Sequence, residues 1–450
     1  MELKGKKVVV VGLGESGISA CQLLRAKGAK VRAVERKFKE ELREVIEKLE
    51  GIGIEVKTGG YGLEDFKDAN LLVLSPGVNE KERIYQEVMT RGVEVIGELE
   101  LASRFVKARI IAVSGTNGKT TTVSLLGEIF EKASPGKVWV GGNIGKPFAE
   151  LVISGESPER VILEVSSFQL LQIKDFHPKA GVMLNLAEDH LDRHSDMEDY
   201  FQAKLRLFMN QDSSDLAVLN FEDERVRRMA ELVKSQALWF GDKIGERSGV
   251  MRLGKEAIYQ DKNKEFRIDL PRFKLPGKHN LENLFAGIAC AGWLGIGKDE
   301  IQEVVNSFQA PAHRIEFVRE VSGVKFYDDS KGTNPHSVVA ALRSFAEPVI
   351  LLLGGRNKGI DFSSLGEELE KRVRVVICFG EAGEEIKNQL SGIKINCERV
   401  EKMKEAALLA SRIAKSGEVV LLSPGCASFD EFRDYRERGA RFKEIVRTLK

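Results

Sequence analysis

The densest run of reactive side chains is Ser114-Gly115-Thr116-Asn117-Gly118-Lys119-Thr120-Thr121. It follows the apolar residues 110–113 and precedes Val123, Leu126, Phe130 and Ala133 at helical spacing. A strand, a glycine loop and a helix in that order make a phosphate-binding loop. Backbone N–H groups cradle the phosphates, a lysine reaches the β/γ oxygens and a hydroxyl meets Mg²⁺. Lys119 and Thr120 fit the last two roles. The spacing departs from GxxxxGK[ST], because Val113 stands at the first glycine position and Gly115 is the nearer glycine. A chance Gly-Lys-Thr turn is the alternative.

Further candidates lie downstream. Glu164 closes the apolar residues 161–163. In P-loop folds an acid at that end of a neighbouring strand meets the nucleotide-bound Mg²⁺, although a strand-end Glu is more often simply solvated. His190 and His194, four apart within residues 188–194, have zinc-pair spacing, but no third ligand accompanies them, so no dedicated zinc site is expected. Ser195 and Glu198 form a capping-box pattern. After it Met197, Tyr200, Phe201, Leu207 and Phe208 mark an apolar helix face with Lys204 inside it. Lys204 either snorkels, its ammonium in water, or is desolvated with a lowered pKa. A neutral amine there can take up CO₂ as a carbamate, a carboxylate-like ligand for Mg²⁺.

At the amino terminus Gly12-Leu13-Gly14-Glu15-Ser16-Gly17 follows a valine strand and opens a helix, with Glu35 ending the next strand. This fits a dinucleotide fingerprint, in which glycines let the backbone approach a diphosphate. A Rossmann-like turn serving another ligand, or none, reads equally well. Arg36 and Lys37 suit a phosphorylated ligand or an ordinary charged surface.

These groups need elements to hold them. Short apolar runs alternate with longer amphipathic stretches throughout, the pattern of βαβ units. Strands are expected at residues 7–12, 30–35 and 70–75, then 109–114, 160–165 and 180–185, and finally 324–328, 349–354, 375–379 and 419–423. The chain turns strand-like past Asn210, passes Pro271 and Pro276, and enters a buried helix near Asn280. Gln309-Ala310-Pro311-Ala312-His313 reads as a linker. The 450 residues correspond to about three domains, placed at 1–98, 99–311 and 312–450.

Composition bounds the function. Lys and Arg number 69 against 68 Asp and Glu, a net charge of +1, so no basic surplus draws in nucleic acid or anionic lipid. With 42% hydrophobic residues, bulk disorder is excluded. The uncharged residues 284–297 fall short of the ~20 that a membrane span needs. Cys21, Cys290, Cys378, Cys397 and Cys426 form no CxxC motif and read as reduced cytosolic thiols. The basic and then apolar start is too short for a signal peptide. A cytoplasmic protein, acting as a monomer, is expected.

Taken together, SGTNGKTT, LEVSSFQL, NLAEDHLDRH and YFQAKLRLF, in this order, resemble the Mur ligase family of ATP-dependent amide-forming enzymes. His313-Arg314, the run from Asp328 to Asn334, LGGRNK at 353–358 and SPGCASFDEF at 423–432 resemble its D-glutamate-adding branch. The resemblance covers essentially the whole chain. It implies an α/β protein of three domains: a Rossmann-like N-terminal domain for a UDP-sugar, a P-loop ATPase-like central domain, and a dinucleotide-fold-like C-terminal domain for the amino acid. It implies amide formation between UDP-N-acetylmuramoyl-L-alanine and D-glutamate through an acyl phosphate, in peptidoglycan precursor synthesis. The UDP-sugar contacts it implies are Glu15, Ser16, Glu35, Arg36, Lys37, Gly77 and Asn143; an Asp-Thr-Arg-type stretch in known members is Glu35-Arg36-Lys37 here. For ATP it implies Gly115, Thr116, Asn117, Gly118, Lys119, Thr120, Thr121, Asn280, Asn283, Arg314 and Asp329. Two Mg²⁺ are implied, one at Thr120 and Glu164, the other at His190 and carbamylated Lys204. For D-glutamate it implies Thr333, Lys358, Ser428, Phe429 and Tyr435, the last often Phe in the family. Lys331 is placed near the transferring phosphoryl group. The implied catalytic set is Lys119, Glu164, His190, Lys204 and Lys331, with the last domain closing over the site. Rival readings are an NAD-dependent oxidoreductase, an ATP-driven switch for a protein partner, and a sibling ligase acting on another amino acid or on folate.

Overall fold

The structure, a computed structural model, describes residues 1–191, 193–275, 277–309 and 311–449. Asp192, Pro276 and Ala310 of the expected loop, turn and linker lie outside the described residues. Three sheets follow one another along the chain. The first holds β1 (Lys7–Val11), β2 (Lys30–Val34), β3 (Glu55–Lys57), β4 (Leu71–Leu74) and β5 (Glu94–Gly97), all parallel, in the order 3-2-1-4-5.

The central sheet holds β6 (Arg109–Ser114), β7 (Val138–Gly142), β8 (Arg160–Glu164), β9 (Ala180–Met183), β10 (Leu216–Asn220), β11 (Gln236–Gly241), β12 (Gly249–Leu253), β13 (Glu256–Gln260) and β14 (Glu265–Asp269). Its order is 14-13-12-11-10-9-6-8-7, antiparallel only in the β12–β14 meander. The third holds β15 (Glu316–Val321), β16 (Val324–Asp328), β17 (Val349–Gly354), β18 (Val373–Phe379), β19 (Asn396–Arg399) and β20 (Val419–Gly425), in the order 15-16-20-17-18-19. Only its β15–β16 pair is antiparallel.

The parallel strands are buried on both faces by helices, which is why they read as unbroken Val/Ile/Leu runs. β6, β16 and β17 span the residues the sequence suggests, while β2, β8 and β9 stop one or two residues earlier. β20 runs two residues further, to Gly425, because it pairs with Gly354 of β17 across a register shift.

The first two sheets share one apolar core. Leu99, Leu101 and Ala102 of the helix Glu98–Ser103 pack with Val8, Leu24 and Ile96 on one side and Phe148, Phe176 and Leu170 on the other. Glu100 on that helix is fully buried, and its Oε2 accepts the backbone N–H groups of Lys174, Asp175 and Phe176 at 2.9, 3.0 and 2.9 Å. The third sheet has its own cores, around Leu351 and Val376 on one face and Ile350 and Phe442 on the other. All five cysteines are free.

The helix around Lys204 begins one residue later than the capping pattern suggests. Its cap is Asp196, whose carboxylate accepts from Asp199 N at 2.8 Å, and Asp199 Oδ2 accepts from Ser195 N at 3.2 Å. A carboxylate is the stronger acceptor at a helix start and also favours its dipole, so Asp196 displaces Ser195 as cap.

Candidate active site

The loop after β6 turns into the helix Lys119–Ala133 through Gly118, at φ 85°. A side chain there would be strained, and its Cβ would lie 2.1 Å from Asn283 Oδ1, so glycine is required. Lys119 Nζ folds back onto the carbonyls of Gly115 at 2.9 Å and Thr116 at 2.7 Å. Burial lowers its pKa, against the pull of Glu164 and Asp189. Thr120 Oγ1 donates to Glu164 Oε2 at 2.8 Å, and Asn143 Nδ2 donates to Glu164 Oε1 at 2.9 Å. Lys331 Nζ, from the loop after β16, donates to Thr120 Oγ1. Burial raises the Glu164 pKa, yet Lys331, Lys119 and the two side-chain hydrogen bonds outweigh it and hold the carboxyl below its ordinary value. Asn143, expected against a UDP-sugar, thus stands at the Glu164 carboxylate.

Lys204 does not snorkel. It is 1% exposed, donates to Gly115 O at 2.9 Å and Ser114 Oγ at 3.3 Å, and lies over the Tyr200 ring. Burial first and Lys119 second take its pKa well below that of a free lysine. His190 adopts φ 58°, a left-handed conformation rare for a non-glycine residue and common at functional sites. Burial pulls its pKa down to about 3, so the imidazole is neutral and able to act as a metal ligand. His194 is committed elsewhere: its ring nitrogens face Ser167 Oγ at 3.0 Å and Asp199 Oδ2 at 3.3 Å, and it stacks on Phe168. No zinc pair forms from His190 and His194 among the described residues.

The third sheet meets this site through polar contacts. Asn117 Oδ1 accepts from Ser337 Oγ at 2.7 Å, and Asn117 Nδ2 lies 3.0 Å from His336 Nδ1. Asp189 takes Lys358 Nζ at 3.2 Å and Asn334 Nδ2 at 3.0 Å. Between the two units opens a cleft of about 410 Å³, lined by Asn117, Gly118, Thr121, Asn280, Asn283, Arg314 and Asp329, all expected at ATP. Arg314 Nε is buried there without a partner, and the flanking His313 and Ile315 hold φ 65° and 46°. For β-branched Ile315 that is a strained backbone. Burial raises the Asp329 carboxyl to about 7, against the pull of Arg314 and the hydrogen bond from Ser423 Oγ at 2.7 Å.

Of the residues expected at D-glutamate, Ser428 is buried, Phe429 is 63% exposed and Thr333 is half-buried beside Lys331. Lys331 lies 5.1 Å from the Tyr435 ring centre. In the first unit, the Glu35 carboxylate accepts the N–H groups of Leu13, Arg36 and Lys37 at 2.7, 2.7 and 3.2 Å, tying the glycine turn to β2. Gly17 packs against Gly12 so closely that a Cβ would sit 1.9 Å from the Gly12 carbonyl oxygen. Arg36 pairs with Glu82 and faces the Tyr61 ring. Glu15 and Ser16 open the helix Glu15–Ala26. Gly77 O accepts from Arg193 Nη1 at 3.0 Å.

Several contributors are not singled out by sequence spacing: Asp189, Arg193 and Asn334. Asn334-Pro335 carries the one local signal, a helix cap followed by proline at the first helical position.

A phosphate-binding loop meeting a carboxylate from the neighbouring strand and a lysine from a separate sheet defines a multidomain P-loop enzyme. The chain belongs to the Mur ligase family. Family models match at residues 6–97 (Mur ligase MurD-like, N-terminal domain), 113–291 (Mur ligase middle domain) and 313–426 (Mur ligase, glutamate ligase domain). The chain is 42% identical over 449 residues to the UDP-N-acetylmuramoylalanine--D-glutamate ligase of Geotalea daltonii, covering 100% of this chain and 99% of that one. It is 40% identical over 453 residues to the enzyme of the same name from Caldanaerobacter subterraneus subsp. tengcongensis, covering both completely. Among solved structures, UDP-N-acetylmuramate-alanine ligase MurC from Thermotoga maritima shares the fold, with a TM-score of 0.59 at 20% identity, over 99% of this chain and 100% of that one.

Proposed function

We propose that the chain is an ATP-dependent ligase that joins D-glutamate to UDP-N-acetylmuramoyl-L-alanine through an acyl phosphate. The supporting observation is the meeting of Lys119, Thr120 and Glu164 from the central unit with Lys331 from the third, beside a cleft lined by residues expected at ATP. The full-length similarity to D-glutamate ligases selects the substrates. In this reading the domains run 1–98, 99–311 and 312–450, and the enzyme works as a monomer in the cytoplasm. Its product feeds peptidoglycan synthesis, and through it cell shape and division.

The oxygen donors Thr120 Oγ1 and the ionised Glu164 suit Mg²⁺, and a cation, the Lys331 ammonium, already stands against Thr120. Thr120 and Glu164 would hold one ion; neutral His190 and Lys204, carbamylated by CO₂, would hold the other. When bound, the ions supply charge neutralisation at the phosphate oxygens. Lys119 leaves its loop carbonyls to meet the γ-phosphoryl group. The alanine carboxylate attacks that phosphorus and ADP departs. The neutral amine of D-glutamate then attacks the acyl carbon, phosphate leaves, and the amine loses a proton. Both steps gather negative charge on crowded oxygens, which Lys119 and Lys331 stabilise. Burial lowers the Lys331 pKa to about 7, so its charge is most secure with phosphate beside it. The third unit's contacts with Asn117 and Asp189 shield the acyl phosphate from water.

The test is phosphate release with ATP, Mg²⁺ and UDP-N-acetylmuramoyl-L-alanine, screened against D-Glu, L-Glu, L-Lys and meso-diaminopimelate. Turnover with D-Glu alone is expected. Release with another amino acid would assign the chain to a sibling ligase; tight NAD binding without ATP consumption would end the ligase reading.

A further inference from the structure

Arg438 is a fully buried arginine, 0% exposed, with no carboxylate at hydrogen-bonding distance among the described residues. Burying a cation is costly, and burial pulls this guanidinium down to about 10 against the opposing pull of Asp430, Asp328 and Asp329. Four of its five N–H groups donate to two loops. Nε donates to Ser330 Oγ at 3.0 Å and Nη2 to Ser330 O at 2.8 Å. Nη2 also donates to Cys426 O at 3.0 Å, and Nη1 to Ala427 O at 3.2 Å.

Ser330 directly precedes Lys331 and sits three residues before Thr333, in the loop leaving β16. Cys426 and Ala427 directly precede Ser428 and Phe429, in the loop leaving β20. A third loop joins them: Arg356 N donates to Ala427 O at 2.9 Å, and Ala427 N donates to Arg356 O at 3.0 Å, two residues before Lys358. Gly355 must lack a side chain for this, since a Cβ would stand 2.3 Å from Ala427 O and 3.1 Å from Arg438 Nη1. Ser330 Oγ also donates to Tyr435 O at 2.8 Å. Gly439, the residue after Arg438, lets the helix Tyr435–Thr448 press onto the end of β16, where a Cβ would stand 2.6 Å from Asp328 Oδ2 and 2.1 Å from His313 Nδ1. Every residue expected to handle D-glutamate is thus at most three positions from an atom that Arg438 holds directly or through Ala427 and Ser330.

We propose that Arg438 is a positioning residue that fixes the phosphoryl-handling Lys331 and the amino-acid loops in one mutual geometry. This rests on the ligase reading above. A planar donor fork can serve carbonyls of two loops at once, which a lysine ammonium does less well and a neutral side chain not at all.

The experiment measures KM for D-glutamate, kcat and the Kd for ADP in the full-length enzyme and in Arg438→Gln, Arg438→Lys and Ser330→Ala, with thermal unfolding as the fold control. For Arg438→Gln the D-glutamate KM is expected to rise about tenfold or more with the ADP Kd within about twofold, since about 1.4 kcal/mol of positioning corresponds to that factor. Arg438→Lys is expected to recover part of the loss. Ser330→Ala, which removes one hydrogen bond and keeps the arginine, is expected to shift KM the same way by less, and it carries the test if Arg438→Gln does not fold. An unchanged D-glutamate KM, with kcat falling only as far as the folded fraction, overturns the positioning role. An equal rise in ADP Kd overturns it too, by revealing a general loss of structure. Failure of the unsubstituted enzyme to turn over D-glutamate would instead refute the ligase reading.

Discussion

Lys119 and Lys204 donate to the same acceptor, the carbonyl oxygen of Gly115, each at 2.9 Å. Two ammonium groups on one carbonyl repel each other, and burial penalises both, so the pair favours one neutral amine. Lys204 is the better candidate, with its pKa taken well below the ordinary value, and a neutral amine is the form that captures CO₂. Lys204→Ala is expected to lower kcat about a hundredfold or more, the cost of removing a charge-organising group from a closed site. Short carboxylic acids should restore part of the rate. Near-normal turnover by this variant in CO₂-depleted buffer would remove the carbamate from the mechanism.

Asp189 and Lys358 meet across the boundary between the central and third units, and both are largely buried. Asp189→Asn and Lys358→Met are each expected to raise the KM for D-glutamate. The double variant should show a coupling of about 1–2 kcal/mol relative to the sum of the single effects. Strict additivity in a double-mutant cycle would mean that the contact plays no part in turnover.

Arg193 joins the other pair of units. Its Nη1 and Nη2 donate to the carbonyls of Gly77 and Val78 at 3.0 and 3.1 Å, and its guanidinium stacks on Phe168, whose ring edge faces His190. Arg193→Met should raise the KM for the UDP-sugar about tenfold, because two charge-assisted hydrogen bonds to the expected sugar-nucleotide loop are lost. The KM for ATP should stay within about twofold. Steady-state kinetics with each substrate varied in turn reads this directly.

Glu98 starts the helix that straps the first unit to the second. It is buried, its Oε1 accepts from Ala149 N at 2.5 Å, and its Oε2 has no partner. Burial raises its pKa from 4.5 to about 7. A group whose folded pKa is raised stabilises fully below its unfolded value and loses that contribution as pH climbs through the folded one. Between pH 5 and 8 the wild type should therefore lose about 2–3 kcal/mol that Glu98→Gln retains. Thermal unfolding of both proteins across that range checks it. Parallel pH profiles would show that Glu98 is not protonated in the fold.

Much of this architecture is legible in the sequence because parallel, doubly buried strands leave apolar runs with sharp ends. The runs at 109–114, 324–328 and 349–354 coincide with β6, β16 and β17 for that reason. Groups on a strand end or glycine turn, such as Lys119, Thr120 and Glu164, are readable because one element presents each of them. Contacts between sheets are not. Nothing local distinguishes Arg438 from other arginines in YRERGARFKE, since its partners lie at positions 330, 426 and 427. Likewise Asn143 looks like a loop residue until β7 is seen beside β8, with its amide on Glu164. The burial of Lys204 stayed open between two readings, because helical spacing gives the face but not what covers it.

The first and second units are joined by a shared apolar core and the third by hydrogen bonds at Asn117 and Asp189. This asymmetry marks where the enzyme is vulnerable. A compound wedged between Asn117 and the helix Pro335–Leu342 would compete both with the joining of two halves of the protein and with the nucleotide expected in the cleft they line. Raising D-glutamate would not displace it, and a variant could escape it only by reshaping the seam that turnover itself requires.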